Sequence, residues 1–351
     1  MTNEKLHERI FSWLPKNEKL NPFYEGMVAF VENYIDISQT KKYKSAKDIL
    51  DPCVGYVKLN SWEMAIIDTA LFQRLRKITQ LGLAYQVYPT LRYSRLEHTI
   101  GVIGRLSQCL QKLKEKHHLR DNVDNKKINI NEIIEEYETQ IRLAALFHDV
   151  GHCLYSHLSE GVIHELSGTE NYPSVKEIRE IFNQEFASFD SNLSIAEIFS
   201  ITILGVKRVA EVLWESNIYI PQSKNGEKNK THEDLKDSIH HSARFIAGLP
   251  VENDARTIFL AQLISSGLDA DKLDYMSREE HFSGIKIEMD LQRIYNKLKL
   301  FLISDETDLP RELMKYSKHI KDRESHKDFI VLGIEKGGQF AYEEFCGIHG
   351  L

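Results

Sequence analysis

No apolar run in this 351-residue chain approaches the roughly 20 residues that a membrane-spanning helix needs. Its four cysteines, Cys53, Cys109, Cys153 and Cys346, are scattered and form no CxxC pair. That excludes the usual spacing of a structural zinc site or a disulfide framework and favours reduced, packed thiols. GxGxxG, the P-loop, internal repeats and low-complexity tracts are all missing. The first twenty residues carry no long apolar stretch of the secretory kind, so the expected location is the cytoplasm. An excess of positive charge is missing too. The formal net charge is −7, which gives no global attraction to nucleic acid or to an anionic membrane. A local basic groove is left to "QRLRK" (73–77) and "LRYSR" (91–95), although such faces are more often simply solvated.

What is present reads as a globular protein with a substantial core: 42% hydrophobic and 28% charged residues. The dominant signal is helical. "FYEGMVAFVENYI" (23–35) suggests an amphipathic helix packing on the main body, and "SWEMAIIDTALFQRLRKITQLG" (61–82) a second, stopped by Gly82. "YPTLRYS" reads as loop, "RLEHTIGVIGRLSQCLQKLKEKH" as helix, "NKKINI" as a polar connection, and "NEIIEEYETQIRLAALFHDVGH" as a helix capped by Asn131. "SIAEIFSITILGVKRVAEVLWES" and "DARTIFLAQLISSGLDADKLDYMSREEHF" are helical, the polar segment 221–236 is a surface loop, and "DFIVLGIE" (328–335) is the one strand signal. The expected class is mainly α: a helical bundle over 51–300, an N-terminal helical extension over 1–50 and a small strand-containing extension over 301–351.

One stretch carries chemistry. "LFHDVGHCLYSH" (146–157) sets three histidines and an aspartate at the end of an apolar helical run. A lone His-Asp pair is usually packing, but an unpaired Asp149 in "AALFHDVGH" would be expensive there, and a cation would relieve it. Imidazole plus carboxylate suits a first-row divalent ion. "RLEHT" offers His98 and "GLDADKLDY" offers Asp271 as further ligands, so three helices would converge on one ion.

The ordered set "TQLG", "SRLEH", "FHDVGH", "SH" and "DADKLDY", with its flanks, resembles the HD-domain phosphohydrolase superfamily. Within it the likeness is to the deoxynucleoside triphosphate triphosphohydrolases: bacterial dGTPases and the vertebrate enzymes that pair a sterile-alpha-motif with an HD domain. It is strong over residues 51–165 and 260–285 and weak between them. The resemblance implies a helical HD bundle, often oligomeric, that hydrolyses a dNTP to deoxynucleoside and intact triphosphate. It implies one metal ion (Fe, Mn, Zn or Mg) on His98, His148, Asp149 and Asp271, polarising a phosphoryl oxygen and acidifying water. His152 would touch the phosphates from the helix face of His148. His157 and Glu160 would move protons as an imidazole–carboxylate pair. Gln80 and Leu81 would meet base and sugar, Arg95 and Lys272 phosphate, and Tyr275 the deoxyribose.

The sequence departs from that pattern twice. Ala196 in "SIAEIFS" stands where some members carry a proposed acid histidine, and His232 lies in the polar loop in the wrong order. The chain stops soon after "GQFAYEEF", without the longer C-terminal lobe, so nucleotide-triggered assembly is not expected. Two other functions stay open: an HD phosphohydrolase or phosphodiesterase for another nucleotide or a nucleic-acid end, and a non-catalytic module binding nucleotide or single-stranded nucleic acid. A homo-oligomer without membrane attachment is expected in each case.

Overall fold

The computed structural model describes residues 20–116, 118–120, 127–168, 173–186, 193–218, 231–285, 289–304, 309–310, 313–317, 320 and 328–335. Within them the chain is mainly helical, and its sheets are three separate antiparallel two-stranded ribbons. Three helices build the frame. α4 (Arg95–Glu115) packs against α5 (Ile130–Phe147) on one side and α12 (Ala270–Ser283) on the other. Their apolar faces, with Leu106, Ile141, Leu146 and Leu273, share one core in which these side chains are almost fully buried. Burying each such side chain is worth about 1.5–3 kcal/mol, so this junction is the rigid centre of the molecule.

A buried ion pair ties the frame to the preceding segment. Arg142 on α5 donates Nε and Nη2 to the two carboxylate oxygens of Glu63, both at 2.7 Å, and Glu63 is fully buried. Glu63 also accepts the Asn60 N–H at 2.6 Å, closing a capping box at the start of α2 (Ser61–Ile67).

Several elements differ from the sequence expectation. The helix predicted over 61–82 is broken into α2, α3 (Ala70–Gln73) and a 3₁₀ turn (Arg74–Lys77). The break falls at Thr69, whose hydroxyl donates to the Ile66 carbonyl at 2.6 Å, while its own carbonyl starts the next turn. The ribbon β1 (Lys47–Asp51) and β2 (Gly55–Leu59), closed by Gly55 at φ 91°, was not anticipated. The segment "NKKINI" is not a plain connection: it contains β4 (Lys127–Asn129), paired with β3 (His118–Arg120). The cap of α5 is Asn129, which accepts the Asn131 N–H, rather than Asn131 itself.

The remaining long helical readings also break: 194–216, which follows α7 (Val175–Phe186), into α8 (Ile195–Leu204) and α9 (Lys207–Glu215), and 254–282 into a 3₁₀ turn, α11 (Ile258–Ile264) and α12. His232 opens α10 (His232–Ile246), with Thr231 and Asp234 as its capping box, so it does not lie in a loop; residues 221–230 lie outside the described residues. The strand expected over 328–335 is β6 (Phe329–Ile334), whose partner β5 (Leu298–Ile303) alternates buried and exposed residues at its start. The expected domain boundaries at 50 and 300 fall inside β1 and β5. Helix α1 (Asn21–Tyr34) places Phe23 and Val31 in the same core as the frame. Cys53, Cys109 and Cys153 are free, and burial pushes the Cys109 thiol up to about 12. Among the described residues no helix is long and apolar enough to cross a membrane.

Candidate metal centre and substrate cavity

The segment that the sequence reading placed on a helix lies at the end of one. α5 stops at Phe147, His148 is its C-cap, and residues 149–156 run through turns before α6 (His157–Leu166). His148 and His152 therefore do not share a regular helix face. Capping places the other residues. Ser94 and Glu97 cap α4, which puts Arg95 and His98 in its first turn; Asp269 caps α12, which does the same for Asp271 and Lys272.

These termini converge. A ring nitrogen of His98, one of His148 and a carboxylate oxygen of Asp271 all lie within 4.8 Å of one another. Ligands held about 2.1 Å from a shared ion are roughly 3–4 Å apart. Each imidazole is oriented from behind. Nδ1 of His98 is 2.8 Å from Asp274 Oδ2, and Nδ1 of His148 is 2.7 Å from the Ala145 carbonyl. With Nδ1–H donated outward, both Nε2 atoms face inward, where a bound ion would take their lone pairs, the usual arrangement of ligating histidines. Neither Nε2 has a hydrogen-bond partner, although both are buried. Asp271 Oδ1 comes within 2.8 Å of His98 Nε2, but off the line a hydrogen bond requires. Two orphaned nitrogens beside a carboxylate fit a divalent ion.

Asp149 stands differently. Its Oδ2 is 3.7 Å from His98 Nε2 and 3.8 Å from His148 Nε2, yet it is paired with the Arg95 guanidinium, while Oδ1 lies 3.2 Å from His152 Nε2. Asp149 is outside the three-residue cluster that surrounds the common point. Electrostatics show the same demand for positive charge. Burial works to raise the Asp149 carboxyl, but Arg95 and the histidines hold it well below the usual range. Burial likewise opposes ionisation of Asp271, but His98 brings its pKa to about 2. Burial disfavours the His98 imidazolium, yet Asp271 and Asp274 outweigh it and lift its pKa to about 10.

These residues face a cavity of about 550 Å³. Gln80, Leu81, Arg95, His148, Asp149, His152, His157, Asp271, Lys272 and Tyr275 all line it; of the anticipated residues, His98 lies behind its wall, and Glu160 bonds His157 at 2.9 Å through Nδ1. The expected phosphate contacts have protein partners: Arg95 with Asp149 and with Ser156 Oγ at 3.1 Å, and Lys272 with Asp269 at 2.8 Å. Ser156 takes a positive φ of 52° and gives its hydroxyl to the Thr79 carbonyl at 2.8 Å, a strained residue locked by its neighbours. Ala196 is buried and not part of the wall; Glu197 is.

Sequence reasoning missed Asp274. It links His98 to Arg278, whose Nε lies 2.5 Å from Asp274 Oδ2 and whose Nη2 lies 2.7 Å from Asp51. Its signal was present: Asp274 is i+3 from Asp271, on the same side of one helix. In Asp274→Asn the amide can offer Nδ1 a donor as readily as an acceptor, so the His98 tautomer is no longer fixed. Affinity for a divalent ion, read by chelator competition, is expected to fall about 10- to 100-fold.

Comparison with known proteins agrees with this geometry. The HD domain profile matches residues 95–213, which include His98, His148 and Asp149. A putative HD domain-containing protein of Acanthamoeba polyphaga mimivirus is 27% identical over 250 residues, 69% of this chain and 44% of that one. The deoxynucleoside triphosphate triphosphohydrolase SAMHD1 of Homo sapiens is 29% identical over 271 residues (74% and 37%), and that of Danio rerio 30% over 247 (69% and 35%). The chain thus spans between about a third and under half of the length of these curated relatives. Among solved structures, a phosphohydrolase of Bacteroides thetaiotaomicron superposes with a TM-score of 0.51 at 21% identity, covering 87% of this chain and 53% of that one. An Aquifex aeolicus protein superposes at 0.52, also 21% identical, covering 86% and 56%. The profile falls on the helices that bring His98 and His148 together, and the SAMHD1 likeness extends over most of the chain: the protein carries an HD domain over residues 95–213 and is similar to deoxynucleoside triphosphate triphosphohydrolases.

Proposed function

We propose that the protein is a divalent-metal-dependent phosphohydrolase that cleaves deoxynucleoside triphosphates to deoxynucleoside and triphosphate. The observation that carries this reading is the pair of orphaned imidazole nitrogens facing Asp271 on the wall of a nucleotide-sized cavity. His98, His148 and Asp271 would hold the ion, with Asp149 as fourth ligand. A divalent ion there supplies Lewis acidity to a phosphoryl oxygen and acidifies water.

The remaining residues bind, orient and move protons. Arg95 and Lys272, each held by a carboxylate, offer fixed positive charge to phosphate. Gln80 presents a buried, unpartnered Oε1 for a base or sugar donor. Glu160 fixes Nδ1 of His157, which leaves Nε2 to exchange a proton with substrate. The wall also carries Asp149, Glu197, Asp269, Asp271 and Glu279 against those two cations. Burial raises the Glu197, Asp269 and Glu279 carboxyls, which eases the repulsion without removing it. A polyanionic substrate therefore needs added cations to enter. The metal-loaded protein, incubated with each dNTP, should release triphosphate and deoxynucleoside, separable by chromatography. Release of orthophosphate alone, or no turnover, would reject this substrate.

The absence of an imidazole at Ala196 favours a second reading, in which the same centre hydrolyses a nucleoside monophosphate, a cyclic nucleotide or a nucleic-acid end. The same assay with those substrates separates the two.

The proton-transfer pair sets a pH dependence. The hydrogen bond to Glu160 raises the His157 pKa above 6.5. For Glu160, burial acts upward, but His157 and His152 prevail and lower it below 4.5. The histidine's contribution is complete below its unfolded pKa and is lost as pH rises through the folded value. The carboxylate's is present above its unfolded pKa and lost as pH falls through the folded value. The pair is thus strongest between about 4.5 and 6.5. If protonated His157 is the acid, the alkaline limb of the rate profile lies above 6.5. In Glu160→Gln that limb should move to lower pH, and an unmoved limb would remove His157 from the mechanism.

A further inference from the structure

Past the end of α5 the carbonyls of His148, Val150 and His152 take their donors from elsewhere in the chain. Two elements distant in sequence supply these. Ser200 on α8 donates Oγ to the His148 carbonyl at 2.8 Å and accepts the Gly151 N–H at 2.8 Å. Arg74, in the 3₁₀ turn after α3, donates Nη1 to the His152 carbonyl at 2.9 Å and Nη2 to the Val150 carbonyl. Gly151 lets the turn approach α8 this closely, because a Cβ there would lie 2.2 Å from the Ala196 carbonyl oxygen.

Arg74 is an unusual group to hold half-buried here. It forms no carboxylate pair among the described residues, and burial pulls its pKa down. Its guanidinium rests instead on the Phe30 ring of α1, with Cζ 5.1 Å from the centroid. Its neighbours in the basic run are ordinary: Arg76 and Lys77 are exposed, and Arg76 bonds Gln73 at 2.7 Å. A half-buried cation committed to two carbonyls is costly unless holding them matters.

We infer that Arg74 is a positioning residue for the turn bearing Asp149 and His152, and that Phe30 holds Arg74 in place, making α1 part of the support of the metal centre. A guanidinium can bridge two carbonyls two residues apart; an ammonium reaches one of them well. Without the bridge, the Val150 and His152 carbonyls turn to water, and Asp149 and His152 lose their fixed approach to the other ligands. The assignment rests on the metal-centre reading above only for its catalytic consequence.

The test uses the full chain and the variants Arg74→Met, Arg74→Lys and Phe30→Leu, with Arg76→Met as control. Hydrogen exchange at amides 150–156 reads the turn without any metal or substrate. It should speed up in Arg74→Met, less in Phe30→Leu, and not in the control. Divalent-ion affinity by chelator competition should fall about 10-fold or more in Arg74→Met, and kcat should fall more than KM rises. Arg74→Lys should restore little of either. Wild-type exchange at 150–156 in Arg74→Met would overturn the inference. So would faster exchange spread over the whole core with unchanged ion affinity, which marks a merely structural role. If the wild type binds no divalent ion while the exchange result holds, the metal reading falls and the positioning role stands.

Discussion

Asp271→Ala is expected to give a folded protein that retains no divalent ion and hydrolyses nucleotide at least about a thousandfold more slowly. Asp271 is the one presumed ligand contributed by α12, and its side chain is 33% exposed where that of His98 is fully buried. In the ion-free protein it faces Asp149 across the site, and that charge works to raise its pKa against the pull of His98 and His148. Removing it leaves no large cavity, but it takes the anion from a pair in which His98 holds Asp271 ionised and Asp271 holds His98 protonated. At neutral pH the ion-free variant should therefore melt below the ion-free wild type. The gap should widen in the ion-loaded proteins. An ion at 100 times its dissociation constant stabilises by about 2.7 kcal/mol, and the variant loses that increment. Thermal melts of both proteins with and without metal check the widening. A variant that still shows the metal-induced rise would place the ion elsewhere.

The parts of this centre that sequence made legible are those whose chemistry is local. Asp149 in an apolar run, and the histidines around it, announce an electrostatic problem that needs a solution nearby. The helices α1, α4 and α5 announce themselves by apolar period, because each packs one face on the same core. Period does not report where a helix breaks when both halves bury the same face. That is why 61–82 and 254–282 read as continuous, although Thr69 and the N-cap Asp269 interrupt them. The ribbon of β1 and β2 has no clean apolar alternation: Tyr56 is 77% exposed and Leu50 66%. Asp274 and Arg74 were hidden for another reason. Their roles are contacts made 176 and 78 residues away, with His98 and with the His152 carbonyl; the i+3 spacing from Asp271 marks the helix side that Asp274 occupies but not its partner, and nothing near Arg74 marks its own.

Gly101→Ala should be among the most damaging single-methyl changes in the molecule. By helix propensity it ought to help, since alanine in a helix interior is favoured over glycine by about 1 kcal/mol. But Gly101 lies on the face of α4 that meets α12, one turn beyond His98. A Cβ there would sit 2.0 Å from Asp274 Oδ1 and 2.1 Å from Arg278 Nη2, and both side chains are fully buried. Neither is a flexible end that can swing aside. Asp274 is held by His98 and Arg278, and Arg278 is held in turn by Asp51. The methyl group must push α12 away from α4 or break this chain, and breaking a buried ion pair costs about 3–5 kcal/mol. Set against the propensity gain, a net destabilisation of about 2–4 kcal/mol is expected in denaturant unfolding. Divalent-ion affinity should fall as well, because His98 loses its fixed orientation. Gly26→Ala supplies the contrast. That glycine lies in α1 with no atom within 4 Å of the added Cβ, so propensity acts alone and should stabilise by about 0.5–1 kcal/mol. Opposite shifts from the same methyl group, the larger at Gly101, would show that the approach of α4 to α12, set by the His98–Asp274 contact, governs both stability and the site. A Gly101→Ala protein as stable as wild type would mean that the two helices are not held that closely.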